Sequence, residues 1–270
     1  MKSRLWTTEM RGASEGAEQI VLFHHAGGSP AAFRPWLDEL PTSFRVLGFE
    51  LPGRDYRRPG DLMRSAPAIA DAAAESIAPL LKRPTTFVGH SIGALIGFEL
   101  IRSIRRRGGD LPAHLIVTGR RAPQEPPRMR QAHLLPDDAF VERLRAYGGT
   151  PEAVLRDREL MALFLPQIRA DFAISETYAY RPEAALGCPI TALAGTDDVT
   201  DSPSSVRGWG EHTAGGFRFH ELPGGHFFVF EQQARVLSII RDILTGAGPT
   251  APARDARPSK LAACGPEDSA

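Results

Sequence analysis

Only two cysteines, Cys188 and Cys264, occur in the 270-residue chain. They supply no disulfide framework, which points to a reducing compartment and away from a small secreted scaffold. Neither sign of charge is in excess. With 32 basic residues against 32 acidic ones, no global field draws the chain to nucleic acid or to an anionic membrane. No uninterrupted apolar run reaches the roughly 20 residues that a bilayer span requires. The opening, MKSRLWTTEMRGASEG, lacks the apolar stretch of a signal peptide. The expectation is a soluble, cytoplasmic, monomeric protein with no membrane and no nucleic-acid partner, long enough to bury one substantial core.

What is present alternates. Ile20–His24, Arg45–Leu51, Thr85–Gly89, Leu115–Gly119 and Ile190–Ala194 are short, nearly continuous apolar runs, as parallel strands covered on both faces require. Phe217–Leu222 alternates and suits an edge strand. Between them Ala31–Leu40, Ala68–Leu81, Ile92–Arg107 and Glu231–Leu244 have helical spacing. Strands alternating with helices predict an α/β fold with a mostly parallel central sheet flanked by helices. From Pro136 to Tyr180 only helical patterns occur, with Pro166 expected to end or kink its segment. Such an insertion, set at about 122–185, is predicted to be a lid within a single domain spanning 1–245. The last stretch, 246–270, is rich in Gly, Ala, Pro and Ser and is expected to be a disordered tail.

At the junction TTFVGHSIGALIGF, residues 85–98, a serine stands between two glycines where a strand passes into a helix. The pattern GxSxG alone is weak, since a shuffled chain with this much glycine would hold it about 0.14 times. The context is what matters. A nucleophile elbow needs a strand before it, a helix after it, and small residues at Gly89 and Gly93 because the serine backbone is strained. The plain alternative is a glycine-softened turn.

A serine hydroxyl reacts only when a base takes its proton and a third group orients that base. In chain order an acid and then a histidine should follow Ser91, each after a strand. His226 lies in a glycine turn, LPGGHFF, after the last strand, whereas His212 and His220 fall in a helix or loop and within the strand itself. For the acid, Asp198 and Asp197 compete in GTDDV after the strand ITALA; Asp198 leaves more room for the turn. Asp201 is farther on and reads as a helix cap before Pro203. An oxyanion formed at the site would need backbone donors. The amide of Ile92 is one, and that of Ala26 in HHAGGSP the other. His24, His25 and His90 lack ligand-type spacing, so neither a metal nor a cofactor is expected.

These residues identify a family resemblance. HAGGS (25–29), LPGRDYR (51–57), GHSIGA (89–94), GRRAP (119–123), YGGTP (147–151), RADFAISETYAY (169–180) and PGGHFF (223–228) occur in the order seen in type II thioesterases. These are the free-standing editing enzymes of polyketide and nonribosomal peptide synthesis, and the resemblance covers nearly all of residues 20–245. Two positions depart from the pattern: the family commonly has proline at His24 and methionine at Ile92.

The resemblance implies the α/β-hydrolase fold and hydrolysis of acyl groups from the phosphopantetheine arm of carrier proteins. It carries Ser91, Asp198 and His226 over as the catalytic set, with Ala26 and Ile92 as oxyanion donors and no cofactor beyond the arm that arrives with the substrate. Phe140, Phe164 and Phe172 are expected in the lid, lining the acyl site or forming the lid's own core. A cluster of arginines (Arg102, Arg105, Arg106, Arg107, Arg120, Arg121, Arg128 and Arg130) against Asp110 and Glu125 raises the expectation of a docking patch for an acidic carrier.

Overall fold

A computed structural model describes residues 6–54, 62–126 and 131–246. Seven strands run β1 (Thr7–Arg11), β2 (Gln19–Phe23), β3 (Arg45–Phe49), β4 (Thr85–His90), β5 (His114–Thr118), β6 (Ile190–Gly195) and β7 (Phe217–Leu222). The helices are α1 (Ala66–Ile77), α2 (Ile92–Arg106), α3 (Asp137–Tyr147), α4 (Glu152–Arg156), α5 (Arg158–Glu176), α6 (Pro203–Arg207), α7 (Phe228–Glu231) and α8 (Gln233–Leu244).

The sheet has the order β1-β3-β2-β4-β5-β6-β7. Every neighbouring pair is parallel except β1–β3, which is antiparallel. All six expected strands are present, five from apolar runs and Phe217–Leu222, the edge strand, from its alternation. β1 was not legible. Its residues TTEMR bury little, so no apolar pattern marks them, and only pairing with β3 makes them a strand.

Alternation of side chains across the sheet divides the core in two. Val21, Phe23, Leu47, Phe49, Phe87, Leu115 and Val117 pack under α1 and α2. Ile20, Leu22, Val46, Val88, Ile116 and Leu193 face Phe33, Trp36 and the Val236, Leu237 and Ile240 stripe of α8. Each large apolar side chain fully buried in these layers contributes about 1.5–3 kcal/mol. α2 is buried along 13 of its 15 residues, including Glu99 and Arg102. A charged pair is tolerated there because it is satisfied: Arg102 Nη1 lies 2.6 Å from Glu99 Oε1, which also accepts the Tyr178 hydroxyl at 2.6 Å.

Three expectations about helices need correction. The segment expected as a helix over Ala31–Leu40 is a 3-10 helix, Pro30–Trp36, with Pro35 inside it. α1 starts at Ala66, where Ser65 caps it by accepting from the Ala68 amide, and gives way after Ile77 to a 3-10 turn carrying Pro79. Pro166 does not end its helix; α5 runs through it for 19 residues. The proline and Ala162, whose carbonyl loses its bond, both face solvent, so water can satisfy that carbonyl.

Helices α3–α5 form a third cluster of their own, with Phe140, Leu144, Leu155, Met161, Leu165, Ile168 and Phe172 packed together and Ala26 against them. Phe140 is fully buried within it, edge-on to Phe172. The expected tail from 247 onward, Cys264, and residues 55–57 of LPGRDYR lie outside the described residues. No described helix is long and apolar enough to cross a membrane.

Candidate active site

The carboxyl ends of the central strands converge, the usual place for a site in an open α/β sheet. Ser91 follows β4 directly and holds φ +56°, ψ −121°, a region a side chain enters only when its surroundings compel it. The surroundings do so here. A Cβ on Gly89 would stand 2.4 Å from Ala94 Cα, and one on Gly93 would stand 2.2 Å from the Phe23 carbonyl oxygen. Both flanks are glycine because backbone already fills the space of a side chain, so the softened-turn alternative falls. The Ser91 amide donates to Thr118 O at 2.9 Å, fastening the elbow to the end of β5.

Ser91, Asp198 and His226 meet, although 135 residues separate the first from the last. His226 Nε2 is 3.0 Å from Ser91 Oγ, and His226 Nδ1 is 2.7 Å from Asp198 Oδ2. All three are buried, at 4 %, 7 % and 4 % exposure for the serine, the histidine and the aspartate. The other Asp198 oxygen accepts from the Thr200 hydroxyl at 2.6 Å and from the amides of Thr200 and Asp201 at 2.9 and 3.0 Å. Burial alone would raise the Asp198 carboxyl, but the bond and charge of His226, with these other donors, outweigh it and hold it below the ordinary carboxylate range. It therefore stays ionised at neutral pH.

The rivals are elsewhere. Asp197 is exposed, and its carboxylate accepts from the neighbouring Thr196 hydroxyl at 3.2 Å. His212 is buried against Gln124 Oε1 at 2.5 Å, and His220 sits on β7. Asp201 departs from expectation. It caps nothing, since Ser202 occupies the N-cap of α6 without a side-chain bond. Instead it is buried beneath Arg121, accepting that residue's amide at 3.0 Å and Nη1 at 2.8 Å, with its free oxygen 3.9 Å from His226 Nδ1. Asp198, Asp201 and His226 thus bring one donor atom each within 4.8 Å. Every member of the group is already engaged in hydrogen bonds, an arrangement suited to fixing an imidazole.

Two neutral imidazoles surround the third. His90 and His226 rings lie 5.3 Å apart, and His25 is 5.7 Å from His90. Burial, then the charge of His226, lowers His25 to about 4 and His90 well below its usual value. Both therefore stay neutral at pH 7. Sequence reasoning missed Tyr147, whose hydroxyl reaches His226 Nε2 at 3.3 Å from the end of α3. Burial and the charge of Asp201 push its phenol up, so it remains a donor. The YGG motif singled the residue out, but nothing local says that it meets a histidine 79 residues away.

Two cavities open from Ser91. The larger, about 310 Å³, is lined by Leu144, Val154, Leu160, Met161, Phe164, Ile168 and Phe172, together with His226 and Ala26. The smaller, about 40 Å³, runs past Ile92 to Arg121, Arg143 and Glu176. Of the phenylalanines expected to line the site, Phe164 and Phe172 do, while Phe140 belongs to the interior of the helical cluster. Ala26 borders both cavities and Ile92 the smaller.

Six of the eight clustered arginines are engaged within the chain, and of these Arg106 and Arg107 stay exposed. Arg102 pairs with Glu99 and Glu183, Arg105 with Glu183, and Arg106 with Glu183 and Asp71. Arg107 donates to Asp71 O, Arg120 to Ser175 Oγ and Arg121 to Asp201. Arg120 and Arg121 are buried, and Arg128 and Arg130 lie outside the described residues. A count of charges along the chain could not reveal that their partners come from α1, α2, α5, Glu183 and the loop after β6.

A seven-stranded, mostly parallel sheet with a buried Ser–His–Asp cluster at its carboxyl end defines a hydrolase of the α/β class. Comparison with known proteins narrows this: residues 18–244 match the thioesterase domain family, and the chain belongs to it. It is 38% identical over 235 residues to the gramicidin S biosynthesis protein GrsT of Aneurinibacillus migulanus, covering 87% of this chain and 92% of that protein. It is 37% identical over 243 residues to thioesterase PikA5 of Streptomyces venezuelae, covering 90% and 86%. The solved structure of the type II thioesterase BorB from the borrelidin biosynthetic cluster superposes with a TM-score of 0.78 at 34% identity, over 91% of this chain and 98% of that one.

Proposed function

We propose that the protein is a type II thioesterase that hydrolyses acyl groups from the phosphopantetheine arm of acyl or peptidyl carrier proteins, clearing aberrant or stalled chains in polyketide or nonribosomal peptide synthesis. One observation carries the reading: Ser91 Oγ at 3.0 Å from His226 Nε2, with Asp198 at 2.7 Å behind the same ring, where the two cavities meet.

His226 takes the Ser91 proton as Oγ attacks the thioester carbonyl, and Asp198 stabilises the imidazolium. The amides of Ile92 and Ala26 receive the oxyanion; losing one such donor costs about 2.7–4 kcal/mol. The C–S bond then breaks and His226 returns its proton to the departing pantetheine thiolate. Water, deprotonated by His226, attacks the acyl-serine carbonyl, and Ser91 leaves reprotonated with the acid released. Nucleophile, base and oxyanion donors all belong to the chain, so the cycle needs no cofactor or metal.

The larger, apolar cavity receives the acyl chain beneath α3–α5, which act as a lid. Its walls discriminate by only about 1–3 kcal/mol per methylene, which suits an editor meeting varied chains. One chain holds every group required, consistent with a monomer, and the buried free thiol of Cys188 fits the cytosol.

Intact-mass measurement on several acylated carrier proteins tests the reading. Wild type should return the free holo-carrier and Ser91→Ala should leave the acyl group in place. Hydrolysis of simple esters with no turnover of acyl-carriers would overturn it.

A further inference from the structure

Asp171 lies on α5, 1 % exposed, where a carboxylate persists only if it is paired or hydrogen-bonded. Its two oxygens reach two different loops. Oδ2 accepts the Gly27 amide at 2.7 Å, from the segment after β2, and Oδ1 accepts Arg54 Nη2 at 2.5 Å, from the segment after β3. One turn earlier on the same helix, Ile168 packs against Gly27, whose φ is +73°; a Cβ there would stand 3.2 Å from Ile168 Cγ1. Three stretches singled out in the sequence, HAGGS, LPGRD and RADF, therefore meet at one carboxylate.

The Ala26 amide is carried by the peptide plane between residues 25 and 26, and the Gly27 amide by the next plane. Only the φ and ψ of Ala26 separate them. Contacts within the loop hold the first plane, whose carbonyl, His25 O, accepts from the Gly28 amide at 3.0 Å and from the His24 ring at 2.8 Å. Those bonds set the loop's shape. The Gly27–Asp171 bond instead ties the loop to a helix of the lid, fixing where that shape sits over Ser91.

We propose that Asp171 is a positioning residue: from α5 it holds the Ala26 amide in the oxyanion site, so this donor is in place only while the helix lies over the nucleophile. The inference rests on the reading above that Ala26 receives the oxyanion. It makes lid closure and oxyanion stabilisation one event.

The test compares Asp171→Ala and Asp171→Asn with wild type on a short acyl-pantetheine thioester. Alongside it, affinity is measured for the matching trifluoromethyl ketone, whose hemiketal oxygen on Ser91 stands in for the oxyanion. Misplacing one donor should lower kcat about 10- to 100-fold in Asp171→Ala, weaken the ketone by the same factor, and leave KM within about twofold. Asp171→Asn keeps an oxygen for Gly27 and should fall between. A folded variant with unchanged kcat and unchanged ketone affinity, or one in which KM rises while the ketone loses no more than the substrate, overturns the inference. If Asp171→Ala does not fold, Asp171→Asn decides alone: kcat and ketone affinity dropping together supports it, and neither changing refutes it. Failure of wild type to hydrolyse, or full activity in Ser91→Ala, would instead strike the functional reading itself.

Discussion

Replacing Asp198 by asparagine should cripple the enzyme through geometry that the surrounding donors impose. In the native site one oxygen accepts from two backbone amides and the Thr200 hydroxyl, and the other faces His226 Nδ1 at 2.7 Å. The asparagine oxygen must stay with the amides, which leaves its NH₂ pointing at the ring. His226 Nδ1 then has to accept, its proton moves to Nε2, and the nitrogen facing Ser91 can no longer take a proton. Flipping the asparagine amide to restore the tautomer sacrifices two backbone bonds, each about 1 kcal/mol net. It also sets NH₂ against two buried N–H groups, at about 1–3 kcal/mol each. The sum, about 4–8 kcal/mol, corresponds to a fall in kcat of at least roughly 1,000-fold and up to about 1,000,000-fold. Asp198→Ala imposes no tautomer and leaves Asp201, 3.9 Å from Nδ1, as a fallback, so it should retain about tenfold more activity than the asparagine variant. Steady-state hydrolysis of an acyl-pantetheine thioester, with thermal unfolding as a check on folding, decides the matter. An asparagine variant as active as the alanine one would refute the tautomer argument.

Two further outcomes follow from packing and burial. Gly93→Ala places a Cβ 2.2 Å from the Phe23 carbonyl, a backbone atom with nowhere to retreat, and should cost about 3 kcal/mol or more; calorimetry should show a Tm lower by roughly 6–12 °C, and an unchanged Tm would contradict the elbow geometry. His24, buried and held neutral, is lowered to about 3 by burial and then by the Arg54 charge, against about 6.5 in the unfolded chain. Below pH 6.5 the unfolded state binds the proton and the folded state does not, so the stability present above that pH is lost as pH falls toward 3, at up to about 1.4 kcal/mol per unit. Denaturant titrations at pH 7 and pH 5 should show His24→Asn losing less stability across that interval than wild type, by up to about 2 kcal/mol; equal losses would refute it.

The sequence by itself determined what local chemistry can write. Continuous apolar runs announced five of the parallel strands and alternation the sixth, and glycines at 89 and 93 announced a strained serine between strand and helix. Glycine turns after β6 and β7 placed an acid and a histidine at the same end of the sheet, and all three groups do converge. Spacing favoured Asp198 over Asp197 without closing the choice; the fold closed it, because one step along the turn exchanges a buried side chain for an exposed one. Whatever depends on partners distant in the chain only the tertiary structure decided. The edge strand β1 has no apolar pattern and exists through β3. Arg120 and Arg121 read as surface charge and are interior groups, because Ser175 and Asp201 meet them there. Tyr147 finds His226, and Asp171 finds Gly27 and Arg54, across 79, 144 and 117 residues. Periodicity and turn preference act over a few residues, whereas a buried charge or hydroxyl takes its meaning from whichever atom the fold sets within 3 Å of it.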